Sequence, residues 1–312
     1  MTRLPVIKTY KLFIGGQFPR SESGRSQPLN DCTGRTIAHL CRASRKDLRD
    51  AVEAARHAQP KWAALSGYNR GQILYRMAEM LEGRAAQFIE AIESVEGTGE
   101  HGSRSRGARN HNAQRLGARR RSSRAAAEAA ASVDRLVGFA GWCDKYAQVM
   151  GCQNLAAGPY DTFTTPEPMG VVGIVAPDNP SLLGLVSLLA AALCPGNACV
   201  ALAGEANPLP AVILGEVLAT SDLPPGVVNI LTGTRAELLD PLATHREVNA
   251  ISAAGLNRDE ARTVRTGMAE NLKRVRVIER PGAMWHDHDL CHAPAEIEPL
   301  VEFKTIWHPA AC

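Results

Sequence analysis

The sequence predicts an α/β fold: an open parallel sheet with flanking helices, joined to a small bridging β sheet. Three observations predict it. After Gly170, apolar β-branched runs alternate with helical stretches, and such alternation makes a parallel sheet with right-handed crossovers. Before it, residues 149–168 carry Gly151, Gly158, Pro159, Pro166 and Pro168 around short Thr, Phe and Tyr pieces, the pattern of a hairpin excursion. At the far end, LVEFKTIWHP (300–309) reads as one last strand outside the alternation.

The chain has 312 residues, 45% of them hydrophobic and 21% charged, enough for a sizeable core. A net charge of +3 is too small to call for a nucleic-acid or membrane partner. Arg3, Lys8 and Lys11 interrupt the first dozen residues, so no secretory signal is expected. The most apolar stretch, Leu182 to Leu193, is too short to span a bilayer and reads as a buried helix. The eight cysteines form no C-x-x-C pair, and reduced thiols in a cytoplasmic protein are expected.

In chain order, residues 10–40 read as turns and edge strands, broken by Gly15-Gly16, Pro19, Gly24 and Gly34. Ser44, with Asp47 three residues on, starts a helix whose face is Leu48, Val52, Ala55 and Ala58. Gly67 closes it. A second helix is predicted over Gln72 to Ser94 from the spacing of Ile73, Met77, Leu81, Phe88 and Ile92. Residues 102–131 differ in kind. They are almost all Arg, Ala, Ser and Gly, and Leu116 is the one large apolar side chain. That composition does not offset its own ordering entropy. It favours a solvated or disordered loop. A basic nucleic-acid patch, which lacks aromatic residues for stacking, and a local anomaly such as a reading-frame slip remain as alternatives. From Val133 an amphipathic helix resumes, with Val133, Leu136, Val137, Ala140, Cys143 and Ala147 on one face. Strands are then placed near 171–176, 198–202, 227–231, 248–252 and 274–278. Helices fall near 181–193, 208–219, 235–244 and 259–272. Four regions result: N-terminal strands and helices (1–148), a bridging hairpin (149–168), the βα part (169–282), and a linker with the last strand (283–312).

The wording of 167–231 is specific. PEPMGVVGIVAPDNP, then AALCPGNACVALAGEANPLPAVILGEVL, then LPPGVVNILTG resembles the cofactor domain of the aldehyde dehydrogenase superfamily. HREVNAISAAGLN, NLKRVRVI, YKLFIGGQF and the helices at 44–94 extend the resemblance. It covers most of the chain apart from 102–131 and 283–298. The resemblance implies a Rossmann-like domain, NAD or NADP as cofactor, and a final strand that pairs with the hairpin to build an oligomer interface. It therefore implies a homo-oligomer, or a hetero-oligomer with a full-length aldehyde dehydrogenase, and neither a membrane nor a nucleic-acid partner.

The family also carries a catalytic domain, with its nucleophilic cysteine in F-x-N-x-G-Q-x-C and a ribose-gripping E-x-F. Neither is found here. The chain passes from the strand at 274–278 to the last strand in about twenty residues, too few for another layered domain. Short members, and doubled members whose second copy lacks the cysteine, match best.

The remaining site residues follow from the resemblance. Asn179 aligns with the oxyanion Asn, but without a nucleophile it reads as a vestigial turn Asn. The ribose-binding Lys falls on Leu202, while Glu205 survives beside it. In the phosphate-binding turn Gly255 is retained, Leu256 replaces the hydroxyl donor and Glu260 replaces the second Gly. Acids at that helix start oppose pyrophosphate, and Arg258 compensates in part. The general-base Glu lands on Ile278, or on Glu279 after a one-residue shift, and no catalysis is assigned to Glu279. Cys194 and Cys312 lack the context of a nucleophile. His286, His288, Cys291 and His292 offer zinc donors without a second distant pair, and read first as an exposed polar loop. The expected function is a non-catalytic pseudo-enzyme subunit for assembly or regulation. The rivals are an NAD(P)-dependent aldehyde oxidoreductase complete only with a partner subunit, and a metal- or nucleic-acid-binding module.

Overall fold

At the amino-terminal side a short strand, β1 (Thr9–Tyr10), joins β2 (Ser26–Asn30) and β3 (Thr36–Cys41) in the order β1-β3-β2. The computed structural model describes residues 6–96, 110–292 and 294–310. Helix α1 (Arg45–Ala63) starts as the sequence predicts. Ser44 Oγ accepts the Asp47 amide at 3.2 Å, and Asp47 Oδ2 accepts the Ser44 amide at 2.7 Å. This reciprocal box satisfies two amides that the first turn leaves unpaired.

The single helix predicted over 72–94 is two helices, α2 (Gly67–Glu82) and α3 (Ala85–Glu96). They break at Gly83, the C-cap of α2, and both helices pack on α4 and α7. Gly67 opens α2 rather than closing α1. A Cβ there would overlap the carbonyl of Cys143, so this close approach requires glycine.

The largest departure is α4 (Asn110–Trp142). Residues 110–131, expected as loop, are helical; 102–109 lie outside the described residues. The expectation weighed large apolar side chains only. Ala125, Ala129, Ser132, Leu136, Phe139 and Cys143 form one buried stripe against the neighbouring helices. Alanine is the best helix former and brings backbones close together. Val137 and Ala147, placed on the buried face from the sequence, are exposed. The short α5 (Tyr146–Met150) follows.

The central sheet comprises β6 (Val171–Val175), β7 (Ala198–Leu202), β8 (Val228–Leu231), β9 (Ala250–Ala254) and β10 (Arg274–Ile278). All pairings are parallel, in the order β10-β9-β6-β7-β8. Helices α6 (Leu183–Leu193), α7 (Leu209–Leu218), α8 (Arg235–Thr244) and α9 (Arg258–Gly267) connect them. Each residue of α6 is buried, which accounts for its lack of a polar face. The chain steps outward from β6 to β8, then returns past β6 to β9 and β10. The order therefore reverses between β6 and β9, the switch point at whose carboxyl ends open sheets take ligands.

A separate antiparallel sheet orders β11 (Val301–Pro309), β5 (Tyr160–Pro168) and β4 (Cys152–Asn154). The last strand thus pairs with the hairpin along its whole length, from Val301 opposite Pro168 to Pro309 opposite Tyr160. Between β10 and β11, short 3₁₀ turns and α10 (His288–Cys291) fold back onto the body. No helix among the described residues is long and apolar enough to cross a membrane.

Candidate functional site at the sheet switch point

Strand β6 ends in a turn that carries Pro177, Asp178 and Asn179. Neighbouring backbone presses closely on it. A Cβ on Gly204 would lie 2.7 Å from the Pro177 carbonyl oxygen, and one on Gly255 would lie 3.2 Å from Pro177 Cα. Gly255 also has φ +68°, a conformation that glycine adopts without penalty.

Three charged residues lock the crevice. Asp178 Oδ1 accepts the amides of Glu205 at 2.6 Å and Ala206 at 3.2 Å. Its other oxygen pairs with Arg235 Nη1 at 3.3 Å. Arg235, the first residue of α8, is 7% exposed. It donates from Nη2 to the Ala176 carbonyl at 2.8 Å and from Nη1 to the Gly255 carbonyl at 3.3 Å. Those carbonyls directly follow β6 and β9. The Arg235 amide in turn donates to Glu205 Oε1. Glu205 is thus placed at the crevice, as a holder of α8. Asp178 and Arg235 were not singled out from the sequence as site residues. The usable signal was a cation at the first helical position after LTGT, facing an acid in the β6 turn.

The phosphate-type turn is closed in the same manner. Asn257 Oδ1 accepts the amides of Asp259 at 3.0 Å and Glu260 at 2.9 Å. Glu260 Oε2 accepts the Asn257 amide at 2.8 Å. This capping box uses amides at the start of α9 that an anion would otherwise bind. Leu256 packs against the core, and Leu202 is buried at the end of β7. Neither supplies a polar contact.

Asn179 is exposed beside the linker, where a Cβ on Gly282 would lie 3.3 Å from its Nδ2. Asn179 precedes α6, whereas Cys194 caps the opposite end of that helix, roughly 16 Å away at 1.5 Å per residue. Cys199 lies near the start of β7, away from the carboxyl ends. Burial pushes both thiols up and makes them poor nucleophiles. Ile278 is buried at the end of β10. Cys312 lies outside the described residues.

The His-rich segment is exposed over residues 287–290, as the sequence suggested, and is anchored to the body on either side. Trp285 and Cys291 are buried, because Arg135 of α4 reaches under the segment. Its guanidinium donates to the carbonyls of Trp285 at 2.7 Å and Cys291 at 3.3 Å, and to Ser187 Oγ at 2.8 Å. Arg280 donates to Cys291 Sγ at 2.9 Å and to Glu296 at 2.9 Å, and lies over the Trp285 ring. The rings of His288 and His292 meet edge to face at 4.8 Å. Burial, with Arg135 nearby, pushes the His292 imidazole down to about 4. The four donors are not brought to a common point. Among the described residues no group of three or more His, Cys, Asp or Glu is placed to hold a metal ion.

The model of the aldehyde dehydrogenase family matches residues 18–105 and 107–282. The chain belongs to the aldehyde dehydrogenase family. Retinal dehydrogenase 2 of Mus musculus is 31% identical over 305 residues, covering 96% of this chain and 54% of that protein. Omega-crystallin of Enteroctopus dofleini is 28% identical over 276 residues, covering 87% and 51%. Among solved structures, the NAD⁺ complex of an aldehyde dehydrogenase from Bacillus cereus superposes with a TM-score of 0.74 at 24% identity, covering 86% of this chain and 50% of that one. The chain spans about half the length of these relatives.

Within the aldehyde dehydrogenase family the cofactor is a nicotinamide dinucleotide, and the residues present here do not fit one. Arg235 stands in the switch-point crevice, α9 has capped itself with Glu260, and Leu202 and Leu256 offer no donors.

Proposed function

We propose that this chain is a non-catalytic aldehyde dehydrogenase-fold subunit that acts in assembly or regulation, as a homo-oligomer or beside a full-length aldehyde dehydrogenase. The observation that carries the reading lies inside the chain. Residues 279–300 lead from β10 directly to β11 as short turns sealed by Arg135 and Arg280. No domain bearing a nucleophile interrupts them, and among the described residues Cys194 and Cys199 are buried away from Asn179. The sheet of β4, β5 and β11 supports the assembly part. Its edge strand β11 exposes Phe303 and Trp307 on one face, and an unpaired apolar edge favours pairing with another chain. A cytoplasmic location is part of the proposal, supported by the expectation of reduced thiols.

The test is an aldehyde-dependent assay for reduced cofactor on the purified chain, with size-exclusion chromatography and light scattering on the same sample. The expected result is no turnover, with a stable oligomer or co-elution with a full-length aldehyde dehydrogenase. Turnover by the chain alone overturns the reading, as does a monomer that co-elutes with nothing. A second reading rests on the exposed amide of Asn179, which is open to a nucleophile from a partner subunit. Turnover only in the mixed oligomer, and its loss in Asn179→Ala, would favour that reading instead.

A further inference from the structure

The crevice between the carboxyl ends of β6 and β9 already holds a charged group, and that group belongs to the chain. The Arg235 guanidinium bridges the two carbonyls that end these strands, at 2.8 Å from Ala176 O and 3.3 Å from Gly255 O. Asp178 supplies the opposite charge at 3.3 Å. Glu205 holds the amide of the same residue, so backbone and side chain are fixed together at the first position of α8. Arg235 Nε is buried without a hydrogen-bond partner, as expected of a group held by its terminal nitrogens alone.

We propose that Arg235 is an internal occupant of the switch-point crevice, and that its place there keeps a nucleotide out. The inference deepens the non-catalytic reading by naming the residue that closes the site. Three physical terms carry it. First, the guanidinium takes the volume directly above β6 and β9, where an open sheet receives its ligand. Second, its charge is balanced by Asp178, so it offers no net attraction to a phosphate. Third, a ligand entering this space must displace Arg235, which breaks its ion pair with Asp178 and strips the Ala176 and Gly255 carbonyls of this donor, and buried groups stripped of partners are costly. Asp259 and Glu260 at the start of α9 add negative charge beside the same opening. They oppose phosphates but do not occupy the space. The plug therefore predicts exclusion of an uncharged nucleoside as well, which charge alone does not.

The experiment is calorimetric titration of the full chain with NAD⁺ and with adenosine, in wild type and in Arg235→Ala. Circular dichroism verifies folding. Wild type is expected to give no saturable heat with either probe up to millimolar concentration. Arg235→Ala is expected to bind at least one of them, tenfold or more tighter than the wild-type limit. Saturable binding by wild type overturns the proposal, and so does silence from a folded Arg235→Ala. If that variant does not fold, Arg235→Lys carries the test. Its ammonium keeps the charge but does not span both carbonyls, so a folded Arg235→Lys must admit adenosine, and its silence overturns the proposal. An aldehyde-dependent reduction assay on the same wild-type sample separates the two failures. Binding without turnover removes the plug and leaves the non-catalytic reading intact. Turnover removes both.

Discussion

The carboxylate of Glu128, on α4, accepts the backbone amide of Leu182 at 2.8 Å, at the start of α6. The Leu183 amide approaches the same oxygen at 3.3 Å. Helix α6 is wholly buried and has no side-chain cap of its own, so its first amides would otherwise be orphaned away from water. A residue from another helix supplies the cap.

That relationship sets the first prediction. Glu128→Ala leaves two buried amides without an acceptor and should cost about 2–3 kcal/mol. Glu128→Gln keeps an oxygen acceptor and should cost about 1 kcal/mol or less. Urea unfolding monitored by circular dichroism checks both. Equal midpoints for wild type and Glu128→Ala would show that the cap contributes nothing.

Arg135 sets the second. It ties α4 to the β10–β11 linker through the carbonyls of Trp285 and Cys291. Arg135→Met keeps much of the volume but leaves these carbonyls and Ser187 without their donor, and should cost about 3 kcal/mol. Limited proteolysis should then cut within 279–300 at least tenfold faster than in wild type. An unchanged cleavage rate would refute the sealing role of Arg135.

The third prediction concerns acid. Burial pushes His245, His286 and His292 below their usual value of 6.5, with His292 reaching about 4. In the unfolded chain these histidines titrate near 6.5. Between that pH and the lower folded values the unfolded state binds more protons, so stability falls as pH falls. Their contribution is full above about pH 6.5 and is lost as pH falls toward the folded values. For Glu296, burial pushes upward, but Arg276 and Arg280 hold it below the usual range, so its contribution is lost only at lower pH. The melting temperature should be lower at pH 5 than at pH 7.5, and His292→Gln should flatten most of that slope. A wild-type profile without slope between these two pH values would contradict the assignment.

The fourth concerns assembly. Phe303 and Trp307 lie on one face of β11, opposite Pro166 and Thr162, and Trp307 is 62% exposed. The double substitution Phe303→Glu, Trp307→Glu places two charges on that face with little disturbance to the fold, because neither side chain is buried. On the proposed assembly, light scattering should show an oligomer for wild type and monomers for the variant, with an unchanged circular dichroism spectrum. An intact oligomer would move the interface elsewhere.

Much of the fold was legible in the sequence. The strands of the central sheet were placed from β-branched runs, and the pairing of 300–309 with the hairpin followed from the family resemblance, because both signals are local and repeat in register. The break at Gly83 was not legible, since the spacing of Ile73 to Ile92 continues across it. The candidate site was half legible. Asn179, Glu205, Gly255 and the lost contacts at Leu202 and Leu256 were marked by motif. The partners of Glu205 and the self-capping by Asn257 and Glu260 were not.

By itself, the sequence determined the alternation of strands and helices after Gly170, the apolar character of α6 and the departures from the family's contact residues. These depend on residue type at a fixed spacing along one segment. Tertiary structure alone decided that the Ala-rich stretch around Ala125 and Ala129 is a buried helix face, that His292 and Cys291 turn inward, and that Arg235 closes the crevice onto Asp178. Each joins residues far apart in the chain. Whether a small or charged side chain is buried depends on which neighbour reaches it to pack against it or satisfy its charge, and that neighbour is fixed only when the segments have folded together.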